Sequence, residues 1–191
     1  MALLSVANRK KYMKALGYEY SKEGIRKLQK AYFVRAKDID GKYGKNTDIL
    51  VRHCYNVKMY APHFKPQEFK CGCGGQYCTG YPTYMRKEML ALLENIRTHY
   101  NKPITVTCGL RCSAYNKKLN GSVQQSKHLQ GKAVDFYQKG TTDTLANRKK
   151  AIAWIKKQKN RGYIYGNGYN SYGNKITAPY MGNALHVDVE V

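Results

Sequence analysis

The chain has 191 residues, 42% of them hydrophobic, which suffices for one large domain or two small ones. Lys and Arg number 34 against 12 Asp and Glu, a formal net charge of +22. That balance excludes an acidic solvating chain and favours a polyanionic partner: nucleic acid, an anionic membrane or the bacterial wall. The charge is not a segregated tail, since residues 1–60 carry 14 basic and 5 acidic side chains and the remainder 20 and 7. No apolar run approaches the ~20 residues that span a bilayer. The apolar start Met1–Ala7 runs into Arg9, Lys10, Lys11 and Lys14, the reverse of a secretory signal. Cytoplasmic synthesis without a signal peptide is therefore expected. Cys54, Cys71, Cys73, Cys78, Cys108 and Cys112 are expected to be reduced rather than paired as disulfides.

Residues 1–60 read as short helices around one tight loop. Ser21 is placed to cap a helix whose apolar residues Ile25, Leu28 and Tyr32 recur at spacings of three and four. The glycines of Asp40-Gly41-Lys42-Tyr43-Gly44 mark a turn, and a second helix runs from Thr47 to Tyr55. Pro62 and Pro66 bracket a linker at 61–66, which leaves 67–191 as the larger unit. A glycine-rich loop, Cys71 to Cys78, comes next. Pro82 to Tyr100 is the strongest predicted helix, with Met85, Met89, Leu92, Leu93 and Ile96 on one core-packing stripe. A strand at 103–107, a helix from Arg111 to Leu119, a strand at Ala133–Tyr137, a helix from Leu145 to Lys157 and a strand at Leu185–Val191 follow. Residues 162–183, rich in Gly, Asn and Tyr, read as a long loop. The mixture predicts an α+β fold with a central antiparallel sheet.

Two islands carry the chemistry: Ser126-Lys127-His128-Leu129-Gln130-Gly131-Lys132-Ala133-Val134-Asp135 and Leu185-His186-Val187-Asp188-Val189-Glu190. Imidazole and carboxylate are good zinc ligands, and a catalytic zinc keeps three protein ligands plus an open position. His128, Asp135 and His186 supply that count, and Gly131 lets the chain turn between the first two. Residues two apart on a strand share a face, so His186 and Asp188 point to the site together, with Glu190 one step further. Acids are scarce enough to be informative. Beyond residue 100 there are four, Asp135, Asp143, Asp188 and Glu190; Asp143 suits the start of a helix, and the others lie in the islands.

The segment ITVTCGLRCSAYNKKLNGSVQQSKHLQGKAVDF followed by LHVDV is similar to the zinc D-alanyl-D-alanine carboxypeptidase family of peptidoglycan metallopeptidases. That family includes phage endolysins that cut the L-alanyl-D-glutamate link, and it shares its fold with the hedgehog signalling domain. The resemblance covers about 64–191 and rests on S-x-H-x-x-G-x-A-x-D with a downstream H-x-D. The helix pair around DGxYGxxT resembles the bacterial peptidoglycan-binding domain of three short helices, a known companion of this catalytic domain. The resemblance implies one catalytic zinc held by His128, Asp135 and His186. It also implies that Arg111 holds a substrate carboxylate or polarised carbonyl oxygen, that Ser126 orders the substrate-binding loop, and that Asn116 is structural. Many relatives place an acid three residues before the last histidine, where this chain has Asn183. The general base therefore falls to Asp188, then Glu190; alternatively Asp188 orients a ligand.

Several signals stay open. Cys71, Cys73 and Cys78, with Cys108 and Cys112, would make a second, structural zinc site or simply be buried thiols, and C-x-C-x4-C is not the usual paired C-x2-C. Tyr163, Tyr165, Tyr169, Tyr172 and Tyr180 either line a groove or pack a loop. His53, His63 and His99 have no partner at ligand spacing. The leading expectation is a monomeric zinc peptidase acting at the bacterial wall on peptidoglycan and anionic wall polymers. A non-catalytic wall-binding protein of the same fold comes next, and a nucleic-acid-binding protein, suggested by charge alone, comes last.

Overall fold

Serine caps begin the first two helices in this computed structural model, which describes residues 2–191. Ser5 Oγ accepts the Asn8 N–H at 3.3 Å and Ser21 Oγ accepts that of Gly24 at 3.1 Å. They open α1 (Val6–Ala15) and α2 (Lys22–Tyr32). The Asp40–Gly44 turn is held by a buried side chain. Gln29 Nε2 reaches Asp40 Oδ1, the Lys42 carbonyl and Thr47 Oγ1 within 3.1 Å, and its Oε1 accepts the Gly41 N–H at 2.7 Å. Helix α3 follows as Lys45–Tyr60, longer at both ends than Thr47–Tyr55. The buried Asp48 on α3 accepts the Leu4 N–H at 2.8 Å and an Arg52 N–H at 2.7 Å, which ties down the N-terminus.

The segment 61–66 is packed, with Ala61 and Phe64 buried. A short 3-10 turn spans Pro66–Phe69, and α4 runs Lys87–Tyr100. Its start lies five residues beyond the predicted Pro82, because residues 85 and 86 are bound elsewhere. The Met85 carbonyl accepts from Asn56 at 3.0 Å, and the Arg86 N–H donates to the Gly131 carbonyl at 2.9 Å.

Six strands form one sheet: β1 (Thr105–Cys108), β2 (Ala133–Tyr137), β3 (Arg161–Gly166), β4 (Gly168–Asn170), β5 (Lys175–Ile176) and β6 (Leu185–Val189). Their order is β1-β2-β6-β3-β4-β5 and every neighbouring pair is antiparallel. Helix α5 is a single turn, Ser113–Asn116, and α6 spans Leu145–Ile155 with Thr144 as its cap. The first is much shorter than the predicted Arg111–Leu119. Asp143 accepts the Gly140 N–H and an Asn147 side-chain N–H beside that cap.

The expected long loop at 162–183 is corrected: it contains most of β3 and all of β4 and β5. Its glycines mark close approach rather than freedom. A Cβ on Gly162 would sit 2.0 Å from Asp188 Oδ1, and one on Gly166 2.7 Å from a Leu185 methyl.

One apolar core runs from Leu4 and Met13 through α3 and α4 to Val187 and Val189 of β6. His53 on α3 pins its centre. Its Nε2–H donates to the Pro66 carbonyl at 3.0 Å, while Nδ1 accepts the Met85 N–H at 3.4 Å. His99 stacks on Trp154 and His63 pairs with Glu94, so none of these three histidines approaches the two islands. No helix among the described residues is long and apolar enough to cross a membrane.

Burial pushes the His53 pKa down to about 4. The ring is therefore neutral in the fold, whereas an unfolded chain protonates it below about 6.5. Stability drawn from this group is complete above pH 6.5 and falls as pH drops toward 4, by about 3 kcal/mol in all. Urea unfolding at pH 7 and pH 4.5 should show a smaller acid loss in His53→Gln than in the parent protein. Equal losses would remove His53 as the cause.

Candidate metal centre

Strand pairing assembles the centre. Asp135 on β2 lies opposite His186 on β6, and His186 lies opposite Tyr165 on β3. His128 arrives from a 3-10 turn, Lys127–Gln130, that ends at Gly131 with φ +66°. That left-handed residue has no room for a side chain, since a Cβ would meet the Tyr84 carbonyl at 2.1 Å. Gly131 thus turns the chain from His128 into β2.

Each histidine has one nitrogen occupied and one aimed at Asp135. His128 Nδ1 lies 2.7 Å from the Gly109 carbonyl, which only accepts, so this nitrogen carries the proton. Its Nε2 faces Asp135 Oδ1 at 3.3 Å. His186 Nε2 faces Asp188 Oδ2 at 3.5 Å, and its Nδ1 lies 2.7 Å from Asp135 Oδ1. His128 Nε2 keeps its lone pair toward Asp135, and His186 Nδ1 either donates to that carboxylate at 2.7 Å or, with its proton on Nε2 toward Asp188, offers a second lone pair. In the second tautomer two ring nitrogens and a carboxylate oxygen converge as a ready site for a cation, either a proton on a ring or a metal ion.

Without metal, the proton takes that place. Burial opposes charge on His128, but Asp135 and Cys108 outweigh it and hold the pKa up to about 10. Burial likewise opposes the Asp135 carboxylate, and the two histidines hold it well below the usual carboxylate range. The donor chemistry fits zinc: two imidazoles and one carboxylate, each imidazole oriented by an acceptor on its far side.

Arg111 borders this centre. Its Nη2 lies 3.9 Å from Asp135 Oδ2 and donates to Cys108 Sγ at 3.2 Å, and its Nη1 donates to Asn116 Oδ1 at 3.0 Å. Its buried Nε has no partner. Asn116 also donates to the Val123 carbonyl, so it braces the arginine. Ser126 is buried on the cleft wall, where its carbonyl accepts the Leu129 N–H and begins the turn carrying His128. Asp188 is buried, and its Oδ1 accepts the Tyr163 N–H at 2.9 Å. Glu190 is exposed beyond the end of β6 and does not line the cleft. Asn183 accepts from Arg148 at 3.3 Å and is likewise absent from the cleft wall.

The cleft has a volume of about 690 Å³, with Tyr163, Tyr165 and Tyr180 on one side. Tyr165 lies against His186, ring centroids 4.8 Å apart. Tyr172 stacks on Tyr163, while Tyr169 packs against the apolar core and Lys149. Sequence reasoning grouped Cys108 with the other cysteines, but Cys108, His128 and Asp135 place ligand atoms within 4.8 Å of one another. Its position three residues before Arg111 was the available signal.

A family model described as Peptidase M15 matches residues 62–170, more than half of the chain. The chain belongs to the peptidase M15 family. Members are zinc metallopeptidases that hydrolyse peptide bonds. The matched M15 region contains Arg111, His128 and Asp135; His186 and Asp188 lie beyond it and are joined to it by the β2–β6 pairing. No curated protein and no solved structure matches the chain.

Gly162→Ala tests the support for His186, because the new methyl must displace Asp188 Oδ1 from the Tyr163 N–H. Zinc affinity measured by chelator competition should fall about 10- to 100-fold. Unchanged affinity would show that Asp188 does not hold the ring.

Proposed function

We propose that this M15 peptidase hydrolyses the stem peptides of peptidoglycan, as a carboxypeptidase or endopeptidase of the phage-endolysin kind. In this reading residues 67–191 are the peptidase domain with a hedgehog-like fold, and residues 1–60 are a wall-binding helical unit joined through 61–66. The observation that carries it is the convergence of His128 Nε2, His186 Nδ1 and Asp135 Oδ1 in an open cleft, with Arg111 beside it. The family match supplies peptide hydrolysis. The +22 charge and the DGxYGxxT turn favour an anionic wall as the place of action.

His128, Asp135 and His186 would hold the zinc ion. When bound there, zinc polarises the scissile carbonyl and lowers the pKa of a water toward about 7. Arg111 is held from two sides and offers its guanidinium to a substrate carboxylate or to the carbonyl oxygen as negative charge grows. Tyr165 covers His186 and limits water at that ring. Ser126 shapes the wall of the cleft next to His128.

Asp188 and Asp135 are the carboxylates that line the cleft. One Asp188 oxygen faces His186 and the other accepts the Tyr163 N–H, so we assign Asp188 to positioning His186 rather than to taking a proton from water. Glu190, outside the cleft, takes no part in this assignment.

His128→Ala should lose the zinc ion of this centre and all muralytic activity, and mass spectrometry of parent-enzyme digests should reveal new peptide termini. Full activity in a His128→Ala protein that lacks that ion would overturn the reading. A zinc-loaded parent protein that binds walls and cuts nothing would make it a non-catalytic binder. Arg111→Ala should lower kcat/KM by about 100-fold or more with zinc retained. Asp188→Asn separates the two roles of that residue: positioning predicts weaker zinc binding, whereas a base predicts lost kcat at unchanged zinc affinity.

A further inference from the structure

Four of the six cysteines gather away from the His128–Asp135–His186 centre. The Sγ atoms of Cys71, Cys73, Cys78 and Cys112 all lie within 4.8 Å of one another, and those of Cys73 and Cys78 are 3.5 Å apart. Four sulfurs around a tetrahedral zinc at ~2.3 Å stand about 3.8 Å apart, whereas a disulfide joins only two, at about 2.05 Å. All six cysteines of the fold are free thiols. Cys54 lies alone in the apolar core and Cys108 belongs to the other centre, so the geometry separates these four from the rest.

The surroundings suit a metal better than four idle thiols. Residues 71–80 contain no helix or strand, and the loop closes through the Cys71 N–H and the Gly80 carbonyl at 2.8 Å. Its apolar cluster consists of Cys71, Cys73 and Cys112 with Tyr77, Cys78 and Tyr115, too few side chains to order ten residues by burial. Backbone donors already point at sulfur: Cys112 N–H to Cys71 Sγ at 3.3 Å and Gly80 N–H to Cys78 Sγ at 3.4 Å. Such donors favour the thiolate that binds metal.

We infer that Cys71, Cys73, Cys78 and Cys112 bind a structural zinc ion as a four-thiolate site, in addition to the centre proposed for catalysis. The sequence obscured it because the first three ligands follow C-x-C-x4-C and the fourth comes from a distant segment. Its position gives it a task. The loop bonds to the N-terminal region through Val34 N–H and the Thr79 carbonyl at 3.2 Å. Cys112 directly follows Arg111. The ion therefore ties the loop after 70 to the segment that presents the arginine to the cleft.

The test counts metal in full-length protein purified under reducing conditions with zinc. Two zinc ions per chain are expected in the parent and one in His186→Ala. That remaining ion should show an X-ray absorption shell of sulfur alone at about 2.3 Å. Cys73→Ser with Cys78→Ser should lose the sulfur-bound ion; if that variant does not fold, the His186→Ala measurement decides alone. A zinc-free His186→Ala protein with its cysteines all titratable, or with two disulfides found by mass spectrometry, would overturn the inference. Failure of the catalytic reading looks different: a parent with one zinc, all-sulfur, that survives His186→Ala.

Discussion

The register between β2 and β6 is the constraint on which the centre depends. Along β6, Leu185, Val187 and Val189 face the apolar core and are fully buried, while His186 and Asp188 between them face the cleft. On β2, Val134 and Phe136 face the core and Asp135 faces the cleft. Slipping one strand by a single residue would turn the imidazole and carboxylate into the core and expose aliphatic side chains. Each large aliphatic buried is worth roughly 1.5–3 kcal/mol, so ordinary packing holds Asp135 opposite His186. Packing on one face of the sheet thereby sets the chemistry on the other.

The centre itself opposes folding. Two buried rings meet a carboxylate largely removed from water, a desolvation that a proton or a metal ion offsets. Neighbouring elements impose it: the Gly109 carbonyl fixes one ring, Asp188 the other, and Asn116 with Cys108 fixes Arg111. Gly162 leaves the space that Asp188 occupies, and Gly131 leaves that of the Tyr84 carbonyl beside the turn carrying His128. A site oriented in advance loses little freedom when its ligand binds.

The helical N-terminal unit is continuous with the sheet through one core, and His53 bridges α3 to the chain on both sides of the cysteine loop. A wall-binding unit built this way would present the cleft at a set orientation instead of on a free tether. The cysteine cluster strengthens the same coupling, since its loop touches the N-terminal region and its last member adjoins Arg111. Basic charge is present in both halves and so acts on one body, which would favour an anionic surface in the proposed reading.

Much of this was legible in the residues. Ser21, the Ile25–Leu28 spacing, the Met89–Ile96 stripe and the alternation in LHVDV declare their elements through local rules of capping and period. The two islands declared a zinc-type donor set because acids are rare in so basic a chain. Local rules failed where distant partners decided. Met85 and Arg86 stay out of the helix because His53, Asn56 and Gly131 hold them, and Gly162 and Gly166 read as loop although Asp188 and Leu185 of β6 require them for close approach. Alternation put Asp188 and Glu190 on one face, with Asp188 ranked first; the end of β6 places Asp188 against His186 and Glu190 in solvent. Cys112 joined the loop cysteines, and Cys108 the histidines, only through the folded path of the chain. The sequence by itself determined which chemical groups are present and which face of each strand they share. Tertiary structure decided which of those groups meet, because convergence depends on contacts between segments far apart in the chain.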